Sequence, residues 1–95
     1  MDDRPVELEW DPWKAEQNLR KHGVSFAEAA TVLADPLSET AHDPAHSDRE
    51  DRFLTVGHSA QKRLLIVAHT ERDNHIRIIS ARELTRSERR VYEEG

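Results

Sequence analysis

The stretch Leu64–Tyr92, LLIVAHTERDNHIRIISARELTRSERRVY, sets the architecture of this chain. Leu64 to Ala68 is apolar on both faces, the pattern of a central strand with cover on each side. Asp73-Asn74 then supplies two residues suited to a tight turn, and Ile76 to Ala81 returns as a neighbouring strand. Thr85-Arg86-Ser87-Glu88 has the spacing of a capping box and opens a short terminal helix. Regular alternation along the returning strand puts Ile76, Ile78, Ser80 and Arg82 on one face and His75, Arg77, Ile79 and Ala81 on the other.

Upstream, Phe53 to His58 alternates weakly and reads as the strand before this pair, joined to it by a turn at Ser59-Ala60-Gln61-Lys62. Leu37 to Thr40 adds a short strand, and the acidic run that follows is loop. Val6-Glu7-Leu8-Glu9-Trp10 alternates as a first strand, with Val6, Leu8 and Trp10 expected inward. Asp11-Pro12 then begins a helix, because Asp11 can accept from free amides and Pro12 fits the first helical position. That helix runs to Lys21-His22 and stops at Gly23; Trp13 and Leu19 are its expected anchors. Ser25 to Glu28 forms another capping box, and Phe26, Ala29, Ala30 and Leu33 give the second helix one buried face. Asp35-Pro36 closes it. The helix pair resembles a helix-turn-helix in outline, but with Thr31 and Glu28 read as outward and no Lys or Arg it is a poor reader of DNA. The sum is an α+β domain over residues 1–95, a mostly antiparallel sheet with its helices against one face.

With 95 residues the core is modest and a partner would add stability. The absence of cysteine rules out disulfides and thiol chemistry. No apolar run is long enough to span a membrane and the start MDDRP is unlike a signal peptide, so a cytoplasmic protein is expected. The net charge of −5 argues against simple nonspecific binding of nucleic acid. It is unevenly spread, however: the last third of the chain carries more Lys and Arg than Asp and Glu. A local cationic site on an acidic body is therefore compatible with the composition.

Arg77 and Arg82 sit on or beside the apolar strands, and Arg89 and Tyr92 share a face of the last helix. These groups suit an anion site, but each also has an ordinary surface reading as an ion pair or a core-capping ring. Arg63 and His69 alternate with Leu65 and Val67, so hairpin register decides whether either reaches Arg77. Lys21-His22-Gly23 forms a second corner of interest. An imidazole at a helix C-terminus can move protons near neutral pH, or simply bond the last carbonyls. No metal or other cofactor is expected. His42 and His46 are interrupted by Pro44, and the neighbouring Asp43, Asp48 and Asp51 lack calcium or zinc spacing.

The ordered motifs resemble the BrnT family. Trp10-Asp11-Pro12, Lys14-Ala15, Asn18, Lys21 to Phe26 and Glu28-Ala29 carry its N-terminal part. Asp35-Pro36, His46-Ser47, Glu50 and Arg52 continue it, and His69 to Arg72, Ile76 to Arg82, Glu88-Arg89 and Tyr92-Glu93 complete it. The resemblance implies a compact RelE-like single domain with two N-terminal helices and a short C-terminal one. It also implies the toxin of a type II toxin–antitoxin module: a ribonuclease that inhibits translation and cleaves RNA without the ribosome. The implied partners are RNA and a BrnA-like ribbon-helix-helix antitoxin, in a heterotetramer of two toxins and two antitoxins. Operator DNA would be bound only through that complex.

Carried onto this sequence, the expected functional set is Lys21, His22, Arg63, Arg77, Arg82 and Tyr92, gathered in one cluster. His22, Lys21, Arg77, Arg82 and Tyr92 are its catalytic group and Arg63 binds substrate; Arg89, on the helix face of Tyr92, is a further substrate-binding candidate. His22 is the expected base for the 2′-hydroxyl, and Arg77 and Arg82 the phosphate contacts with Arg63 in support. Gln61-Lys62 departs from the glycine-containing turn of many relatives, which leaves the placement of Arg63 open. The alternative is a non-catalytic subunit that holds the antitoxin and tunes its DNA binding. A general binder of single-stranded RNA is disfavoured by the lack of aromatic platforms between the basic residues.

Overall fold

The structure, a computed structural model, describes residues 5–46 and 51–95. Chain order is β1 (Glu7–Glu9), α1 (Pro12–His22), α2 (Phe26–Leu33), β2 (Glu39–His42), a 3-10 turn (Pro44–His46), β3 (Arg52–His58), β4 (Leu64–Arg72), β5 (His75–Glu83) and α3 (Arg86–Glu94). The five strands form one sheet in the order β1-β5-β4-β3-β2. All pairings are antiparallel except β1 with β5. The Ser47–Glu50 part of the family motif lies outside the described residues.

Local chemistry accounts for the element ends. Asp11 accepts from the Trp13 N–H at 3.0 Å, and Gly23 ends α1 at φ 68°, where a side chain would be strained. Asp73 and Asn74 both take positive φ, as a two-residue hairpin requires. At the earlier hairpin Lys62 holds φ 66° and donates to the Ser59 carbonyl at 2.8 Å, doing in strained form what a glycine would do freely. Thr85 and Glu88 complete a full capping box. At α2 only half of one forms, because the Glu28 side chain turns inward and not back to Ser25.

The core lies between α2 and the sheet: Val24, Phe26, Ala29 and Val32 pack on Leu65, Val67, Ile78 and Ala81. Burial of the Val, Leu, Ile and Phe side chains among them stabilises by roughly 1.5–3 kcal/mol each. Gly57 lies where a Cβ would meet Ser38 Cβ at 2.9 Å, so its bare backbone admits the corner after α2. There Asp35 accepts from the His58 N–H at 2.9 Å.

Several expectations are corrected. Val6 and Leu8 are substantially exposed, because β1 is a short edge strand with little above it. Trp10, also exposed in part, turns its ring edge-on against core residue Phe26, with ring centroids 6.0 Å apart. Trp13 and Leu19 are exposed as well. Polar Asn18 anchors α1 in their place, buried and bonded as described below. Glu28 is buried, not outward. Nor do the helices share one face: α1 and α2 cover one side, while α3 lies over the opposite side with Leu84, Val91 and Tyr92 near Val56 and Ile66.

Candidate active site on the open face

A single irregularity in β5 decides which side chains share the second, more open face. The register runs Thr70↔Arg77 and His69↔Ile78, then resumes at Ala68↔Ser80, leaving Ile79 as a bulge. One extra residue inverts the alternation beyond it. Arg77, Ser80 and Arg82 therefore point the same way, opposite Thr70, Ala68 and Ile66. Uninterrupted alternation had put Arg77 and Arg82 on opposite faces. The same face carries Arg52, Leu54 and Val56 of β3 and Glu39 and Ala41 of β2.

The route by which α1 reaches this face is equally specific. β1 covers only His75–Arg77 of the outer β5 edge. Farther along, the Asn18 carboxamide stands in for a strand: it donates to the Ala81 carbonyl at 2.8 Å and accepts from the Ala81 N–H at 3.0 Å. Its second donor hydrogen meets the Val24 carbonyl at 2.9 Å, so the buried amide is well satisfied. Helix α1 is thereby held against the sheet edge, and its last residue, His22, enters a cavity on the open side.

That cavity, about 310 Å³, is lined by His22, Asp43, Arg52, Leu54, Ile66, Ala68, Ser80, Ala81 and Arg82. An imidazole and two guanidinium groups thus face one space with an apolar floor. Arg82 is set by Glu88, donating from Nη1 to Oε1 at 2.7 Å and from Nη2 to Oε2 at 2.9 Å. The Glu88 carboxyl is held down to about 2, chiefly by Arg82 and next by the Thr85 N–H. One side chain therefore caps α3 and aims a cation. Nη1 also donates to the Glu83 carbonyl at 3.1 Å, which leaves the Nε–H and one Nη2–H of Arg82 without a hydrogen bond among the described residues.

Of the residues expected in one cluster, only His22 and Arg82 meet in this cavity. Lys21 is exposed and outside the lining. Arg63 faces the other side, donating to Glu28 through Nε at 2.9 Å and through Nη2, and from Nη2 to the Gly23 carbonyl at 3.0 Å. Ser59 Oγ also donates to Glu28 at 2.7 Å. This network, with the Arg63 bonds largest, holds the Glu28 carboxyl below its usual range despite burial. Arg77 lies four rungs from Arg82 along the ladder, roughly 13 Å, in a separate cavity with Glu9, Thr70, Arg72, Asp73 and His75. Arg89 is on the outer side of α3 near Glu93. Tyr92 lines a third cavity, beyond the Arg82–Glu88 pair.

Arg52, Asp43 and Ser80 are the lining residues that sequence reasoning passed over as site groups. Alternation of Arg52 with Leu54 and Val56 held the signal, but beginning the strand at Phe53 concealed it. His69, by contrast, is buried on the helix side, bonded through Nε2 to Thr55 Oγ1 at 2.7 Å; burial pushes its pKa down. Among the described residues no group of three His, Asp or Glu is placed to share a metal ion, and no helix is long and apolar enough to cross a membrane.

The fold defined by these elements is a small α+β domain. It is similar to a 1.1 Å crystal structure of the Brucella abortus ribonuclease toxin BrnT, with a TM-score of 0.63 and 21% identity over 85% of this chain and 99% of that one. No curated protein sequence matches significantly. The model of the family described as the ribonuclease toxin BrnT of type II toxin–antitoxin systems matches residues 10–88. The chain belongs to the BrnT family. An antitoxin partner and an RNA target come with membership of that family.

Proposed function

We propose that the chain is an endoribonuclease that works in the His22–Arg52–Arg82 cavity, without a metal ion, by attack of a 2′-hydroxyl on the adjacent phosphate. The observation that carries this reading is the meeting of a proton acceptor and two guanidinium groups over one open cavity. His22 takes the 2′-proton as the O2′–P bond forms. The remaining N–H groups of Arg82, with Arg52 beside them, stabilise the charge that grows on the phosphorane oxygens. The P–O5′ bond then breaks, the 5′-oxygen takes a proton from water, and the products end in a 2′,3′-cyclic phosphate and a 5′-hydroxyl. Lys21, Arg63, Arg77 and Arg89 stand outside this chemistry.

In the cell the enzyme is the toxin of its module and inhibits translation. It is neutralised by a BrnA-like ribbon-helix-helix antitoxin in a complex of two copies of each chain, which alone contacts operator DNA. Family membership supports that part of the reading. The test is purified protein with end-labelled RNA in EDTA. Wild type should give cyclic-phosphate ends, and His22→Gln should lose roughly 10²- to 10⁴-fold in kcat/KM with unchanged circular dichroism. Intact RNA with wild type, or full activity in His22→Gln, refutes the assignment.

A further inference from the structure

Beyond the Arg82–Glu88 pair the open face continues into a larger and chemically different cavity. It measures about 520 Å³ and is lined by Val56, Ile66, Leu84, Val91 and Tyr92, with Glu39, Ser87 and Glu88 as its polar groups. Ile66 is shared with the His22–Arg82 cavity, so the two cavities adjoin across the Arg82–Glu88 pair. Among the described residues no Lys, Arg or His lines this second part, which makes it unsuited to phosphate. Its size and apolar walls suit a flat, uncharged group instead.

The polar groups narrow the choice. Glu88 is committed to Arg82 and to the Thr85 N–H. Glu39 is different. It lies opposite Val56 on the open face, and its carboxylate has no hydrogen-bond or ion-pair partner among the described residues. It therefore offers two acceptor oxygens and no donor to whatever enters. The Tyr92 ring borders the same space, held by its hydroxyl, which donates to the Leu37 carbonyl at 3.3 Å, and by edge-on contact with His58. A fixed aromatic ring beside an acceptor pair is a setting for a nucleobase.

We infer that this cavity receives a base flanking the scissile phosphate, and that Glu39 selects guanine. Guanine presents two adjacent donors, N1–H and the 2-amino group, to the two oxygens of one carboxylate. Adenine, cytosine and uracil each offer a single donor on that edge. The inference rests on the proposed ribonuclease reading, because this cavity supplies a base site only if the neighbouring one holds the phosphate.

The experiment uses the full chain and deoxy-oligonucleotides carrying one ribonucleotide, so that a single linkage is cleavable. The bases on either side of it are varied among G, A, C, U and inosine, which lacks the 2-amino group. Guanine on one side should raise kcat/KM roughly 10- to 100-fold over the other bases. Inosine should fall between, and Glu39→Gln should remove the difference between guanine and inosine. Equal rates for all bases, or a guanine preference that survives in Glu39→Gln, overturns the inference. If wild type cleaves none of the substrates, the ribonuclease reading fails by itself. Fluorescence anisotropy with the same oligonucleotides made wholly deoxy then decides this one: guanine-dependent affinity lost in Glu39→Gln supports it, and base-independent affinity overturns it. Weakened capture of purified antitoxin by Glu39→Gln, with base preference unchanged, assigns the cavity to a protein side chain and overturns it too.

Discussion

Two arginine–glutamate pairs stand on opposite sides of this sheet, and they serve different ends. Arg63 and Glu28 lie on the helix side, with Glu28 3% exposed and further bonds to Ser59 and the Gly23 carbonyl. Arg82 and Glu88 lie on the open side, 39% and 38% exposed, at the divide between two cavities. The first pair ties the end of α1, the start of α2 and the β3–β4 hairpin together. The second leaves part of its guanidinium facing open space. Identical chemistry becomes a structural tie where the carboxylate is buried and bonded on both oxygens, and a candidate site where the guanidinium borders an open cavity.

The largest effect that separates them is on stability. Arg63→Ala leaves a buried carboxylate with only a serine as side-chain partner, and should lower the unfolding free energy by roughly 3 kcal/mol in urea titrations. Arg82→Ala exposes a carboxylate already near solvent, and surface pairs of that kind contribute roughly 0–1 kcal/mol. Its effect should fall on RNA cleavage instead, a loss of roughly 10²- to 10³-fold in kcat. An Arg82→Ala protein that unfolds as readily as Arg63→Ala but cleaves normally would reverse the two assignments.

A smaller effect sharpens the contrast through pH. His69 has a native pKa below the usual 6.5, because burial disfavours its charged form. The unfolded chain then binds the proton more readily, so stability contributed by the neutral ring is present above pH 6.5 and is lost as pH falls below it. Glu28 and Glu88 are lowered from 4.5 by their arginines, Glu88 to about 2. Their contribution is present above 4.5 and declines as pH falls below it, for Glu88 toward 2. Urea midpoints should therefore fall in two stages on acidification. In His69→Phe the first stage should vanish and the second persist; a single transition in both proteins would contradict this account.

The contrast between the pairs also marks how far the sequence is legible. Arg63, Arg77 and Arg82 look alike in one dimension: cations on or beside strands rich in Leu, Ile and Val. Alternation correctly placed Arg63 with Leu65 and Val67, on the side where Glu28 waits. It failed for Arg82, because the bulge at Ile79 arises from fitting β5 to β4 and has no glycine or proline to announce it. Asn18 formed part of the recognised motif, yet its role as a substitute strand depends on a contact with Ala81, 63 positions away.

What the sequence determined by itself is what neighbouring residues determine: the Asp11, Ser25 and Thr85 caps, the stop at Gly23 and the Asp73-Asn74 turn. These act over a few positions, within reach of the backbone groups that they satisfy. The ordered motifs determined the family as well, since order along a chain survives without coordinates. Tertiary structure alone decided which charges are available. Whether an arginine is tied to a buried carboxylate or borders an open cavity depends on the partners that the fold brings to it, and those partners come from elements far apart in sequence.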